Sequence, residues 1–190
     1  MRELTRNRAA LLRLFYTNPD QSYYMQELGR ILNKKPGYFQ RTLNKMAEEG
    51  ILVSEYRVNA RYFKANKNYP LYEELKSIVF KTIGVLGSLQ EIVHEVGIIK
   101  YCFIYGSYAK GKETSLSDID LVIIGDVDED KLIKDIDNLE EVIRREVNYK
   151  LYTMREFSSA IRKESPFILG ILRDKKIMVI GDEDELRKIS

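Results

Sequence analysis

The chain of 190 residues has one cysteine, one histidine and four prolines. A single cysteine cannot close an intramolecular disulfide, and it excludes a thiolate metal cluster. A reducing compartment fits that count. Cys102 lies in an apolar run and reads as a small core residue rather than a nucleophile. His94 sits beside an apolar seam with no partner motif and reads as structural. Charges interrupt every apolar run well short of a membrane span. The opening M-R-E-L-T-R-N-R has no signal-peptide apolar core. The expectation is therefore a cytoplasmic protein with no membrane partner. Repeats and low-complexity segments are also missing.

What is present is ordinary for a soluble globular protein, at 44% hydrophobic and 32% charged residues. The length suits one large domain or two small ones. Charge is unevenly spread. Residues 1–97 hold 15 Lys/Arg against 10 Asp/Glu, a balance of +5, whereas residues 98–190 hold 16 against 19, a balance of −3. A basic half joined to an acidic half suggests two tasks.

In the first half, Leu4, Leu11, Leu12, Leu14 and Phe15 recur at helical spacing, and Asn18-Pro19-Asp20 ends that helix. Ser22-Tyr23-Tyr24 is long enough only for a strand-like bridge. A second helix is expected over Met25–Leu32, and Asn33-Lys34-Lys35 makes the turn after it. Pro36 at a first helical position opens a third helix, with Phe39, Leu43 and Met46 on one stripe. Gly50 stands where helices stop. A two-stranded hairpin is expected next, with Ile51–Val58 and Arg61–Ala65 around an Asn59-Ala60 turn. Three helices followed by a hairpin over about residues 4–70 resemble the winged helix-turn-helix family. The resemblance implies a third helix in the major groove of double-stranded DNA and a hairpin along its backbone. The residues facing away from the stripe would read or neutralise DNA: Lys34, Lys35, Tyr38, Arg41, Asn44 and Lys45, with Arg57, Arg61 and Lys64 on the hairpin. Transcription regulation is the task that would follow. A solvated helix face, or use of the same fold to bind protein, is the alternative.

Residues 71–97 carry Tyr72, Leu75, Val79, Leu86, Leu89, Val93 and Val96 on alternating three- and four-residue steps. That is a heptad-like seam. Gly84 and Gly87 weaken it by about 1 kcal/mol each relative to alanine, so a break there is expected as one outcome. The seam reads either as a homodimer helix or as a connecting helix packed between domains 1–70 and 98–190.

The densest chemistry runs from Tyr105 to Leu121, Y-G-S-Y-A-K-G-K-E-T-S-L-S-D-I-D-L. An apolar strand ends in Gly106-Ser107, where backbone amides face outward and the glycine lets an anion approach. Lys110 and Lys112 stand within reach of the same phosphates, and Ser117 leads into Asp118-Ile119-Asp120. Strand alternation sends Asp118 and Asp120 to one face. Two carboxylates side by side repel unless a cation sits between them, and hard oxygen donors suit magnesium, Mg2+.

G-S-Y-A-K-G followed by S-D-I-D-L resembles the signature of the nucleotidyltransferase superfamily with the DNA-polymerase-beta-like fold, most closely its minimal branch. The resemblance covers about residues 98–190. It implies a small mixed α/β domain, so the whole chain is expected to be α+β. It assigns Gly106, Ser107 and Gly111 to the phosphate loop and Asp118 and Asp120 to magnesium. Its members transfer a nucleoside monophosphate from a triphosphate, here expected to be ATP, to a hydroxyl. The family's third catalytic carboxylate falls by its place in the pattern on Asn148, in the expected strand Val147–Tyr152 after a helix over Glu129–Glu146. An amide can ligate but cannot accept a proton. Three functions remain open on the sequence: a transferase coupled to DNA binding, an inactive nucleotide-sensing regulator or antitoxin-like protein, and a small-molecule transferase.

Overall fold

The computed structural model describes residues 2–111 and 117–189, with side chains from Arg6 onward. It divides into two compact units, residues 1–87 with 141–144, and residues 88–140 with 145–190.

The first unit opens with α1 (Arg2–Thr17), whose Leu11, Leu14 and Phe15 are fully buried. Then come β1 (Ser22–Tyr24), α2 (Met25–Ile31) and α3 (Gly37–Glu48). Pro36 is the N-cap of α3 and not its first helical residue. Phe39, Leu43 and Met46 point from α3 into the core at zero exposure. Full burial of such a side chain contributes about 1.5–3 kcal/mol. Behind α3, Gly50 N–H donates to the Ala47 carbonyl and Ile51 N–H to the Met46 carbonyl, the paired bonds of a Schellman ending.

The hairpin comprises β2 (Leu52–Arg57) and β3 (Ala60–Ala65). Arg57 pairs with Ala60, so its turn is Val58-Asn59, one residue earlier than turn composition suggests. Val58 adopts φ +52 at 98% exposure, a conformation that β-branched residues avoid and that no local signal announces. The hairpin also gains a third strand. Ser22–Tyr24 pairs antiparallel with Tyr62–Lys64, giving the order β1-β3-β2. The Tyr24 and Tyr62 rings meet at 5.2 Å across that pairing.

The expected single connecting helix is two helices. α4 (Tyr72–Thr82) adds Tyr72 and Val79 to the first unit's core, and α5 (Val85–Glu95) follows a break at Ile83-Gly84. A Cβ on Gly87 would collide with the Thr82 carbonyl, so the tight passage between the helices requires glycine there.

The second unit continues from Ser88 through β4 (Gly97–Tyr105), α6 (Gly106–Ala109) and β5 (Ile119–Val127). After these come α7 (Glu129–Ile143), β6 (Val147–Tyr152), α8 (Met154–Arg162), α9 (Pro166–Arg173), β7 (Ile177–Ile180) and α10 (Glu183–Arg187). The sheet order is β6-β5-β4-β7, with β5 and β6 parallel and the other pairs antiparallel. A parallel neighbour needs a crossover, and α7 supplies it. Ile119, Leu121 and Ile123 on one face and Val122 and Ile124 on the other are all fully buried, so both faces of β5 are covered. Tyr101, Phe103, Val122 and Ile124 pack against Phe157 of α8 and Ile168, Ile171 and Leu172 of α9. Thr153 and Glu156 close a capping box at the start of α8, and Asp182 caps α10.

The crossover helix ends earlier than its periodicity predicts. It stops at Ile143, Arg144 takes φ +56, and Glu146 lies in the turn before β6 rather than on a helix end. That turn carries Arg145 inward, to 7% exposure.

Candidate functional site

Three strands of the second unit meet at one level. Tyr105 at the end of β4 pairs with Asp120 near the start of β5, and Asp120 pairs with Asn148 on β6. Asp118 lies two residues before Asp120 and so shares its face. The same face carries Val122 and Ile124 toward α8 and α9, which makes the carboxylates the polar end of an apolar stripe.

Gly106 follows directly. Its φ is +74, and a Cβ there would come within 2.5 Å of Asp120 Oδ2. The missing side chain therefore brings the turn backbone against the carboxylate. Ser107 comes next on α6. Burial and then the charge of Asp118 push the Asp120 carboxyl above its ordinary value. Burial raises the Tyr105 phenol too, helped by Asp120 and Tyr152. A cation between Asp118 and Asp120 would relieve the repulsion that adds to burial in raising Asp120.

The donor set fits a hard divalent ion. It offers two carboxylates and the side-chain carbonyl of Asn148, and magnesium commonly takes one or two protein carboxylates with water and substrate phosphates completing its shell. Among the described residues, no set of three His, Cys, Asp or Glu side chains is placed to hold a metal. Asn148 Nδ2 donates to Asp118 Oδ2 at 3.2 Å, so the amide stands beside the carboxylate pair.

Other expected loop residues lie differently. Lys110 Nζ pairs with Asp174 Oδ2 at 2.6 Å, at the end of α9. It must exchange that partner to meet a phosphate. Gly111 adopts φ +67 with open space around it. Ser117 gives its carbonyl to Arg145 Nη1 at 2.8 Å. Lys112 lies outside the described residues.

Four neighbours carried no sequence signal for this site. Arg145 reads as the end of a helix, yet it binds the Ser117 carbonyl, just before Asp118. Tyr105, Lys150 and Phe167 stand on the carboxylate face: Phe167 meets Tyr105 edge-on at 5.7 Å, and Lys150 Nζ lies 5.1 Å from the Phe167 ring centre. Lys150 lies 45 residues after Tyr105 and Phe167 17 residues after Lys150, spacings with no local periodicity, so only the tertiary fold unites them.

In the first unit, Lys34, Lys35, Tyr38, Arg41, Lys45 and Arg57 are exposed. Asn44 and Arg61 are tied together instead. Arg61 Nη1 donates to Asn44 Oδ1 at 2.9 Å, its Nε and Nη2 reach Ser54 Oγ, and its guanidinium lies over Phe63. The pair braces the hairpin against α3. Lys34 Nζ donates to Asn7 Oδ1, and Arg57 pairs with Glu55 across the hairpin's outer surface. Among the described residues, no helix is long and apolar enough to cross a membrane.

Residues 86–179 match the family model described as the nucleotidyltransferase domain. This stretch is a nucleotidyltransferase-like domain. A candidate protein adenylyltransferase of Methanocaldococcus jannaschii is 54% identical over 37 residues. That alignment covers 20% of this chain and 37% of the relative's length. Among solved structures, a toxin-antitoxin with AMP-PNP aligns at TM-score 0.37 and 12% identity, covering 55% of this chain and 79% of that one. A candidate nucleotidyltransferase from Sulfolobus solfataricus aligns at TM-score 0.27 and 23% identity, covering 49% and 77%.

Proposed function

We propose that the chain is a magnesium-dependent nucleotidyltransferase that moves AMP from ATP to a hydroxyl of a protein, and that its first unit binds double-stranded DNA. The observation that carries the transferase reading is the alignment of Tyr105, Asp120 and Asn148 at one level of the sheet, with Gly106 set against the Asp120 carboxylate and Asp118 two residues away. Within the stretch that the family model matches, the Gly106–Ser107 turn lies against Asp120, which supports its use as a phosphate-holding turn beside paired carboxylates. The 37-residue likeness to a candidate protein adenylyltransferase supports a protein acceptor.

Asp118 and Asp120 would hold the ion, which supplies charge neutralisation on the triphosphate when bound. Gly106 and Ser107 would hold phosphate oxygens through backbone N–H groups and the Ser107 hydroxyl. The acceptor oxygen bonds to the α-phosphorus, the bond from that phosphorus to the bridging oxygen breaks, and pyrophosphate leaves. Asn148 cannot take the hydroxyl proton, which passes to solvent. Lys150 and Phe167 stand where they would contact the nucleotide or acceptor.

The test is incubation with magnesium and α-labelled ATP in the presence of candidate protein and RNA acceptors. Label transfer that disappears with Asp118→Asn plus Asp120→Asn supports the reading, and transfer that survives both refutes the metal assignment.

Asn148 favours a second reading. With an amide beside Asp118, the same site suits a regulator or antitoxin-like protein that binds nucleotide without turning it over. Magnesium-dependent ATP binding by calorimetry, with no transfer to any acceptor, would select it. For DNA, Lys35 just before α3 and the exposed Arg41 and Lys45 on it support phosphate contact. Affinity for random duplex that fails to fall with salt would sink that part. Tyr72, Val79, Leu86, Leu89, Val93 and Val96 are all buried within the chain, which favours residues 71–97 as packing segments over a homodimer seam.

A further inference from the structure

The residues around the β6 entry hold Asp118 from three directions. Arg145 Nη1 donates to the Ser117 carbonyl at 2.8 Å, on one side of Asp118. On the other side, Ile119 N–H donates to the Glu146 carbonyl at 2.9 Å. Asn148 Nδ2 then reaches the Asp118 carboxylate itself. The backbone is thus pinned before and after the aspartate, and its side chain is pinned by a third group.

Arg145 does more than pin a carbonyl. Its guanidinium carbon lies 5.8 Å from the Tyr108 ring centre, and Tyr108 follows Ser107 in the phosphate-loop turn. One buried cation therefore faces both the turn that starts the motif and the Ser117 backbone that leads into Asp118. Only 7% of Arg145 is exposed, and taking such a charge out of water is costly unless its partners are well placed. A planar group with five donors can bind a carbonyl along its edge while its plane faces a ring, a fixed geometry that a freely rotating ammonium does not impose. If Arg145 only filled space, an apolar residue of similar volume would serve at lower cost.

We propose that Arg145 is a positioning residue for nucleotide transfer: it fixes Asp118 relative to the Gly106–Ser107 turn through the Ser117 carbonyl and the Tyr108 ring. The inference rests on the transferase reading for its consequence, but its geometric half stands without it. Asn148, in the place of a third acid, belongs to the same clamp and orients Asp118.

Hydrogen exchange of the full chain without nucleotide tests the geometric half. Arg145→Met keeps the volume and removes the donors. Amides in peptides spanning Gly106–Gly111 and Ser117–Asp120 are expected to exchange roughly tenfold faster, because a lost clamp lowers the local opening free energy. Peptides from β7 and α10 should keep their wild-type rates. Arg145→Lys preserves the charge without the plane and should fall between the two. It also carries the test if the methionine variant does not fold. Unchanged exchange at Ser117–Asp120 overturns the proposal. Equal acceleration across the whole second unit also overturns it, since that is what a merely structural residue would give.

The catalytic consequence is read by kcat and KM for ATP. A displacement of about 1 Å costs roughly a hundredfold, so kcat should fall by about that factor while KM shifts far less. Added guanidinium at non-denaturing concentration should restore part of the loss in Arg145→Ala. A KM effect with unchanged kcat contradicts positioning. If the wild-type chain transfers nothing, the transferase reading falls, and the exchange data still decide whether Arg145 holds Asp118.

Discussion

Asn148→Asp perturbs the site at the position where the resemblance to the nucleotidyltransferase superfamily leads one to expect a third carboxylate. Asn148 donates to Asp118 Oδ2 at 3.2 Å, and a hydrogen bond to a charged group contributes about 1.5–3 kcal/mol. Asn148 is exposed, so the lower end of that range applies. The substitution removes the donor and sets a third carboxylate beside two others. Like charges about 4 Å apart repel by about 1 kcal/mol in water and about 4 kcal/mol near a protein surface. Asp120, whose carboxyl burial and Asp118 already hold above its usual value, would be pushed further. Together these terms predict a loss of about 2.5–5.5 kcal/mol at neutral pH without a divalent ion. At this chain length each kcal/mol moves Tm by roughly 2–4 °C, so the second unit should melt at least about 5 °C lower. Magnesium reverses the sign of the new interaction. Thermal melts with and without magnesium should therefore show a larger metal-induced gain in the variant than in the wild type. The new carboxylate can also accept a proton, so transfer should rise by about a hundred- to ten-thousand-fold. Equal magnesium-induced gains in variant and wild type would refute the placement of Asn148 beside the metal.

Gly106→Ala should abolish nucleotide binding measured by calorimetry, because its Cβ must displace Asp120 Oδ2 and its φ of +74 costs a further 1–2 kcal/mol, roughly. Glu183 is held below its ordinary 4.5 by the Lys176 ammonium, with Arg187 contributing. Its depressed folded value means that its contribution is present above about pH 4.5 and disappears as pH falls through the folded value. Glu183→Gln should thus lower stability by about 1.5–3 kcal/mol at pH 7, with urea melts converging on the wild type in acid. Burial raises the Cys102 thiol well above its normal range, so a thiol reagent at pH 8 should label it only at the rate of global unfolding. Fast labelling of the native chain would contradict the packing of β4. Arg61→Ala should destabilise the first unit through loss of the Asn44 and Ser54 bonds, beyond any change in DNA affinity; an unchanged melt would show that the brace contributes nothing.

The legible parts of this protein were those encoded over short distances. The α3 stripe, the Gly50 ending and the Asp118–Asp120 parity each depend on residues a few positions apart, and the structure contains all three arrangements. The third strand beside the hairpin was not legible, because Ser22–Tyr24 is a strand only by pairing with a segment some forty residues later. The same is true of side-chain partners. Lys110 looks like a phosphate ligand until Asp174 is found 64 residues away, and Arg61 looks like a DNA contact until Asn44 is found 17 residues away. In both cases the residue type was read correctly as a cation, but its partner belongs to another element. Helix periodicity failed at Ile143 for a related reason. Apolar spacing predicts where a helix is buried, but it does not foresee the left-handed residue at Arg144 that turns Arg145 inward.

Two of these, Lys110 and the Ile143 helix end, lie at the candidate site, and that bears on what sets nucleotide transfer there. The Gly106–Asp120 motif can be retained while the groups that orient it change, because those groups contact it through Arg145, Asn148 and Asp174 from other elements. A chain with this motif can therefore hold nucleotide well and transfer it poorly. Whether it does so depends less on the two aspartates than on what stands at 145 and 148. Restoring an acid at 148 while loosening the clamp at 145 separates the two contributions. If Arg145→Met cancels the gain from Asn148→Asp, positioning limits the reaction, and if the gain persists, the missing base does.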